Sequence, residues 1–108
     1  MAKYKLVGDG ETRQVWLNDK PLFPDKSQAF RNHSPDGFNW GYYGSGCAQL
    51  ALAIMLETGD NYAKYYQKFK EDVIAKLPQG QNFIIEFEIT FEQIEGSDFT
   101  FTNIEIEF

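Results

Sequence analysis

The chain has 108 residues, 43% of them hydrophobic and 24% charged, with a formal net charge of −6. That length suits one domain, 1–108, and the composition excludes a disordered tail. The acidity excludes a protein that grips nucleic acid through clustered Lys and Arg, so no direct nucleic-acid contact is expected. Cys47 is the sole cysteine, which rules out an internal disulfide, and no Cys/His spacing indicates a structural zinc site.

The opening residues Met1 to Val7 carry no long apolar run, and the apolar stretch near residues 47–55 is too short to cross a bilayer. The expectation is a cytoplasmic protein with no membrane contact and no cofactor. Its charge is unevenly distributed. Residues 83–108 hold no Lys or Arg and carry Glu86, Glu88, Glu92, Glu95, Asp98, Glu105 and Glu107.

Tyr4, Leu6 and Val7 read as a short strand, and Gly8-Asp9-Gly10 as a turn. Arg13 to Leu17 resumes with β-branched and aromatic residues. Asn18-Asp19-Lys20 turns again before Pro21-Leu22. Pro24-Asp25 can open a short helical turn through Ser27 to Phe30. Residues 32–46 read as a loop rich in glycine and aromatics, with turn chemistry at Ser34-Pro35-Asp36-Gly37. Irregular stretches of that length often carry function.

A helix is predicted to begin near Cys47, with Cys47, Leu50, Ala51, Ile54 and Met55 on its buried face. Gly59 would stop it, and Asp60 would cap a second helix with Tyr62, Tyr66, Phe69, Val73 and Leu77 on one face and Pro78 at its end. The two helices should form an αα-hairpin. From Phe83 the pattern has period two: Phe83, Ile85, Phe87, Ile89 and Phe91 against a mostly acidic face. Gly96-Ser97-Asp98 turns the chain. The apolar phase flips between Phe101 and Ile104, so a bulge is expected near Thr102-Asn103. The predicted class is α+β: an N-terminal antiparallel hairpin, the loop, the αα-hairpin and a C-terminal antiparallel hairpin, with the helices on one face of the sheet. The strand order is not readable.

Four candidate sites follow from the residues. Gly44-Ser45-Gly46 leads into a helix start, where unpaired backbone N–H groups favour an anion. The glycine spacing is not that of a known nucleotide-binding loop, and a tight approach to a buried helix explains it equally. Cys47 at the same helix start, with His33 as base, is the arrangement a cysteine nucleophile needs, but Cys47 also falls on the apolar stripe. Trp40 and Tyr42 offer a stacking wall or fold down as a lid. Glu86 and Glu88, with Glu105 and Glu107 alongside, make an acidic face, which paired carboxylates use for acid–base work or a divalent metal and which more often is simply solvated surface. Alternate strand positions lie about 6–7 Å apart, near the phosphate spacing of a nucleic-acid strand, which suits imitation of nucleic acid towards a basic partner.

The segment Asn32 to Gly46, running into Ala48-Gln49-Leu50-Ala51-Leu52-Ala53-Ile54, resembles a family of small bacterial and bacteriophage proteins of unknown function. The likeness continues through Tyr66-Gln67-Lys68-Phe69-Lys70 and Leu77-Pro78, and it stops before Gly96. The resemblance implies no activity, cofactor or catalytic residue. In that family proline tends to stand where this chain has Cys47. Such a pattern implies a helix start there and counts against a nucleophile at that position.

The functional expectation is therefore a non-enzymatic binding domain for a nucleotide or other phosphorylated ligand. Its site would be His33, Trp40, Tyr42, Gly44, Ser45 and Gly46, with no catalytic residue and no metal. The alternative is an acidic protein of phage or mobile-element origin that occludes a basic partner surface with Glu86, Glu88, Glu105 and Glu107.

Overall fold

A computed structural model of the chain describes residues 2–58, 66–92 and 98–107. Strand β1 (Ala2–Gly8) runs into β2 (Val15–Leu17) and β3 (Lys20–Leu22). The connection between β1 and β2 is held by the Asp9 carboxylate, which accepts the Glu11 N–H at 2.9 Å. The link between β2 and β3 is a two-residue turn, with φ of 50° at Asn18 and 67° at Asp19. Two successive positive φ values give a turn whose twist matches that of the flanking strands, and Asn and Asp tolerate them best after Gly. The expected N-terminal hairpin is thus a three-stranded meander.

Helix α1 (Asp25–Phe30) matches the short turn expected after Pro24. Helix α2 (Ser45–Thr58) begins two residues earlier than the apolar pattern suggested, and α3 covers Tyr66–Asp72. The expected stop at Gly59 and the cap at Asp60, like Tyr62, lie outside the described residues. The second helix is shorter at its C-terminal end than the periodicity implied. Val73 leaves helical geometry at φ −122° and ψ −62°, and a single 3-10 turn, Ile74–Lys76, follows. Tyr66, Phe69, Val73 and Leu77 are nevertheless all buried, as the spacing required. The carbonyl of Ile74 accepts the Gly41 N–H at 3.0 Å, which ties this irregular end to the loop.

Strands β4 (Phe83–Glu92) and β5 (Asp98–Glu107) complete one antiparallel sheet of order β3-β2-β1-β4-β5. Pairing of β1 with β4 joins the two ends of the chain, with Leu6 opposite Ile85 and Tyr4 opposite Phe87. The expected bulge is present. Glu86 faces Glu105 while Glu88 faces Thr102, so β5 advances one residue further than β4 over that interval. The Gly96-Ser97 part of the expected turn lies outside the described residues.

One face of the sheet is apolar: Leu6, Val15, Leu17, Leu22, Phe83, Ile85 and Phe87 are buried and join α2 in a single core cluster. The sequence pattern assigned α2 one buried stripe, but every residue from Gly46 to Met55 is buried. A helix apolar all round is one enclosed on all sides, and α2 fits between the sheet, α1, α3 and the loop. Lys3, Lys5 and Ile84 are exposed on the opposite face of the sheet.

Candidate functional site

The loop between α1 and α2 is built around one polar side chain that the helical periodicity left off the buried face of α2. Gln49 is 0% exposed. Its Oε1 accepts the backbone N–H groups of His33 at 2.7 Å and Ser34 at 2.9 Å. Its Nε2 donates to Ser27 Oγ at 2.8 Å and to the Arg31 carbonyl at 3.2 Å. Those four bonds use the donor and acceptor capacity of the amide. Ser27 Oγ in turn donates to the Pro24 carbonyl at 2.8 Å. The signal for this in the sequence was a lone amide inside the apolar run from Cys47 to Met55. Periodicity alone does not separate such a residue from an exposed one.

The rest of the loop folds inward. Gly37 closes the expected turn, donating to the Ser34 carbonyl at 3.2 Å with φ of 102°. Phe38 is buried. Trp40 is 0% exposed, and its indole N–H is shared between the carbonyls of Pro78 at 3.0 Å and Gln81 at 3.1 Å. Its ring meets Phe83 edge-on at 4.9 Å, with the Arg13 guanidinium over it at 5.4 Å. Trp40 therefore presents no face for stacking a ligand. Tyr42 is half-buried, and its hydroxyl accepts a hydrogen bond from the Asn39 amide at 3.2 Å. The exposed aromatic of the loop is Tyr43, at 70%.

The glycines at the start of α2, Gly44 just before it and Gly46 in its first turn, serve close packing. A Cβ on Gly44 would run into the Tyr42 ring, and one on Gly46 would come within 2.7 Å of Asn39 Cβ. What remains open is a shallow polar cleft of about 190 Å³ lined by Ser34, Asp36, Asn39, Tyr42, Ser45 and Gly46. Ligand pockets for drug-sized molecules run from roughly 300 Å³ upward, so a whole nucleotide overfills it. Asp36 also sets a carboxylate in its wall.

His33 and Cys47 do not meet as a catalytic pair. Cys47 is 0% exposed within the core cluster. The His33 Nε2 is hydrogen-bonded to the Tyr66 hydroxyl at 2.8 Å, so its ring ties the loop to α3. Burial, then the positive charges of Arg31 and Lys70, hold the His33 pKa below its ordinary value. That favours the neutral imidazole, which suits a hydrogen-bonded tie.

The acidic residues of β4 and β5 lie towards one edge of the sheet. In the ladder Glu86 stands opposite Glu105 on one side and Lys5 on the other, and Glu88 stands between Lys3 and Thr102. Lys3 Nζ reaches Glu86 Oε2 at 3.3 Å. The acidic array is thus bordered by two lysines on β1, which charge counting along the chain does not show. The side chains of Glu88, Glu105 and Glu107 lie outside those described.

The sequence pointed to nothing at the open groove of about 580 Å³ beside β2, β3 and α1, where Pro21, Leu22 and Phe23 meet Lys26 and Glu57. Among the described residues no group of three or more His, Cys, Asp or Glu side chains is placed to hold a metal. Among them, too, no helix is long and apolar enough to cross a membrane.

The architecture is that of a small α+β domain in which a polar-clamped loop closes over a central buried helix. The chain belongs to a family of unknown function, DUF6166, which matches residues 6–97. The match ends close to where the resemblance in the sequence stops, ahead of β5. No curated protein and no solved structure matches the chain.

Proposed function

We propose that the protein is a non-enzymatic interaction domain that occludes a basic surface on a macromolecular partner. The observation that carries this reading is the placement of Glu86 directly opposite Glu105 at the acidic side of the sheet. Like charges opposed across a strand pair cost stability. An arrangement that costs stability suits a surface held for a partner rather than for the fold. Fixed charge on strands steers a basic partner and excludes acidic ones, and the attraction weakens as salt is added.

The test is recovery of partners from bacterial lysate by the wild type and by a variant with Glu86, Glu88, Glu105 and Glu107 changed to Gln. The expected result is a set of basic proteins retained by the wild type at low salt, reduced at moderate salt and lost by the variant. Equal recovery by both proteins, or recovery indifferent to salt, refutes the reading.

A second reading retains a small phosphorylated or carboxylate ligand at the cleft before α2. What favours it is the exposed Ser45 at the start of a 14-residue helix with no acidic residue in its first turn. Asp36 opposes it. A thermal-shift panel of inorganic phosphate and nucleotides decides the matter, and no rise in Tm at millimolar ligand removes it.

A further inference from the structure

The outer face of the sheet departs from the usual pattern for an antiparallel sheet with one open side, in which outward positions are polar. Residues directly opposite in the ladder share a face. Pro21 stands opposite Trp16, Trp16 opposite Val7, and Val7 opposite Ile84. These four make one apolar row across β3, β2, β1 and β4 on the side away from the core. Their inward neighbours Leu6, Val15, Leu17, Leu22 and Ile85 are buried, whereas Pro21 is exposed, Trp16 and Val7 are half-buried, and Ile84 is 40% exposed.

The next row on the same face, one repeat of about 6–7 Å along the strands, runs Lys5, Glu86, Glu105. Its lysine is already committed. Lys5 pairs with Asp19 at 3.6 Å, and Lys3 in the row beyond pairs with Glu86 at 3.3 Å. With both lysines matched, the charge left on this face by sequence is acidic: Glu88, Glu105 and Glu107, with no Lys or Arg after Lys76.

We propose that this apolar row is the anchor of the interaction, and that its occupant is a basic amphipathic segment of a protein partner. Such a segment sets aliphatic or aromatic side chains on Trp16, Val7 and Ile84, and Lys or Arg beside the register positions of Glu105 and Glu107. The inference rests on the reading of an acidic interaction domain and adds the apolar half of the recognition. A second copy of this chain is a poorer occupant, because it brings the same net charge of −6 to the same acidic face. The apolar row supplies affinity through surface removed from water, and the carboxylates set orientation and rate of encounter.

The test uses the full chain and two synthetic peptides of equal length and charge, one alternating Leu and Lys and the other alternating Ser and Lys. Binding is followed by the emission of Trp16, since Trp40 is enclosed and contributes a constant background. The expected result is a blue shift with the Leu/Lys peptide and affinity about tenfold or more above that for Ser/Lys. Ile84→Ser should remove most of that ratio and leave Tm nearly unchanged. Should that variant fail to fold, Val7→Thr reads the same ratio with almost no change of shape. Equal affinity for the two peptides overturns the apolar anchor and leaves the acidic reading standing. Binding of neither peptide overturns both. Sedimentation that shows a dimer dissociated by Ile84→Ser assigns the row to a second copy and overturns the proposed occupant.

Discussion

The amide of Gln49 in α2 and the backbone N–H of His33 meet at 2.7 Å, across sixteen positions of sequence, and this bond is the hub of the loop. The same Oε1 holds Ser34, and the other end of the amide holds Ser27 and Arg31. A single buried side chain therefore links the end of α1, the start of the loop and the middle of α2. Gln49→Leu keeps the volume and removes all four bonds. Each buried polar group left unpaired costs about 1–3 kcal/mol, so a loss of roughly 3 kcal/mol or more is expected from urea unfolding. Stability within about 0.5 kcal/mol of wild type, the range of ordinary surface changes, would refute the clamp.

Trp40 and Trp16 differ in environment, and this makes the fold of the loop visible in solution. Trp40 is enclosed and Trp16 half-buried on the outer face of the sheet. Trp40→Phe should remove the blue component of the emission and leave a spectrum shifted to the red. It also leaves the carbonyls of Pro78 and Gln81 without the indole donor, for a loss of about 2 kcal/mol. An unchanged emission maximum would mean that Trp40 is not enclosed.

Two glycines, Gly46 in the first turn of α2 and Gly80 in the turn before β4, separate close packing from backbone strain. Gly46→Ala forces a methyl group against Asn39 at 2.7 Å, with no change in backbone class. Gly80→Ala meets no neighbour within 4 Å, but its φ of 72° is disfavoured for alanine. Overpacking costs typically 1–3 kcal/mol, and the backbone strain at Gly80 about 1 kcal/mol. The expectation is that Gly46→Ala is the more damaging in the absence of any ligand, as measured by Tm. The reverse order would assign Gly46 a role other than packing.

His33 should make the fold acid-sensitive. Its pKa in the folded protein lies below the unfolded value of 6.5, chiefly through burial and then through Arg31 and Lys70. The unfolded chain therefore binds the proton more readily. The contribution of the neutral ring is fully present above about pH 6.5 and is lost as pH falls towards the folded pKa. His33→Gln should flatten the decline in Tm between pH 7 and 5 relative to wild type. An identical decline in both proteins would show that His33 does not titrate on unfolding in this range.

Glu105 offers the clearest separation of stability from interaction. It stands opposite Glu86, whose carboxylate already has Lys3 as partner. Glu105→Gln relieves the opposition and should raise stability by a few tenths of a kcal/mol, while retention of a basic partner falls. A change that lowers stability, or leaves partner retention intact, would show that Glu105 serves the fold alone.

The class of fold was legible from the residues because it rests on local periodicity. The alternation from Phe83, the turn at Asn18-Asp19, the helical run after Gly46 and the phase flip ahead of Ile104 each express backbone geometry within a few positions. The family match over residues 6–97 likewise follows from the sequence. What lies between those elements was not legible. The sheet order comes from β1 pairing with β4 across most of the chain, and only the packed structure sets that register. Gln49 reads as an ordinary polar residue until His33, Ser34, Ser27 and Arg31 converge on it. Trp40 reads as a stacking platform until the carbonyls of Pro78 and Gln81 are found beneath its N–H. The same holds for the charges: the acidic tail is plain in the sequence, but the lysines that border it reach it from β1. Local patterning records which face of an element is apolar. Which polar groups are satisfied, and which charges are matched, depends on neighbours distant in sequence that only folding brings within a few ångströms.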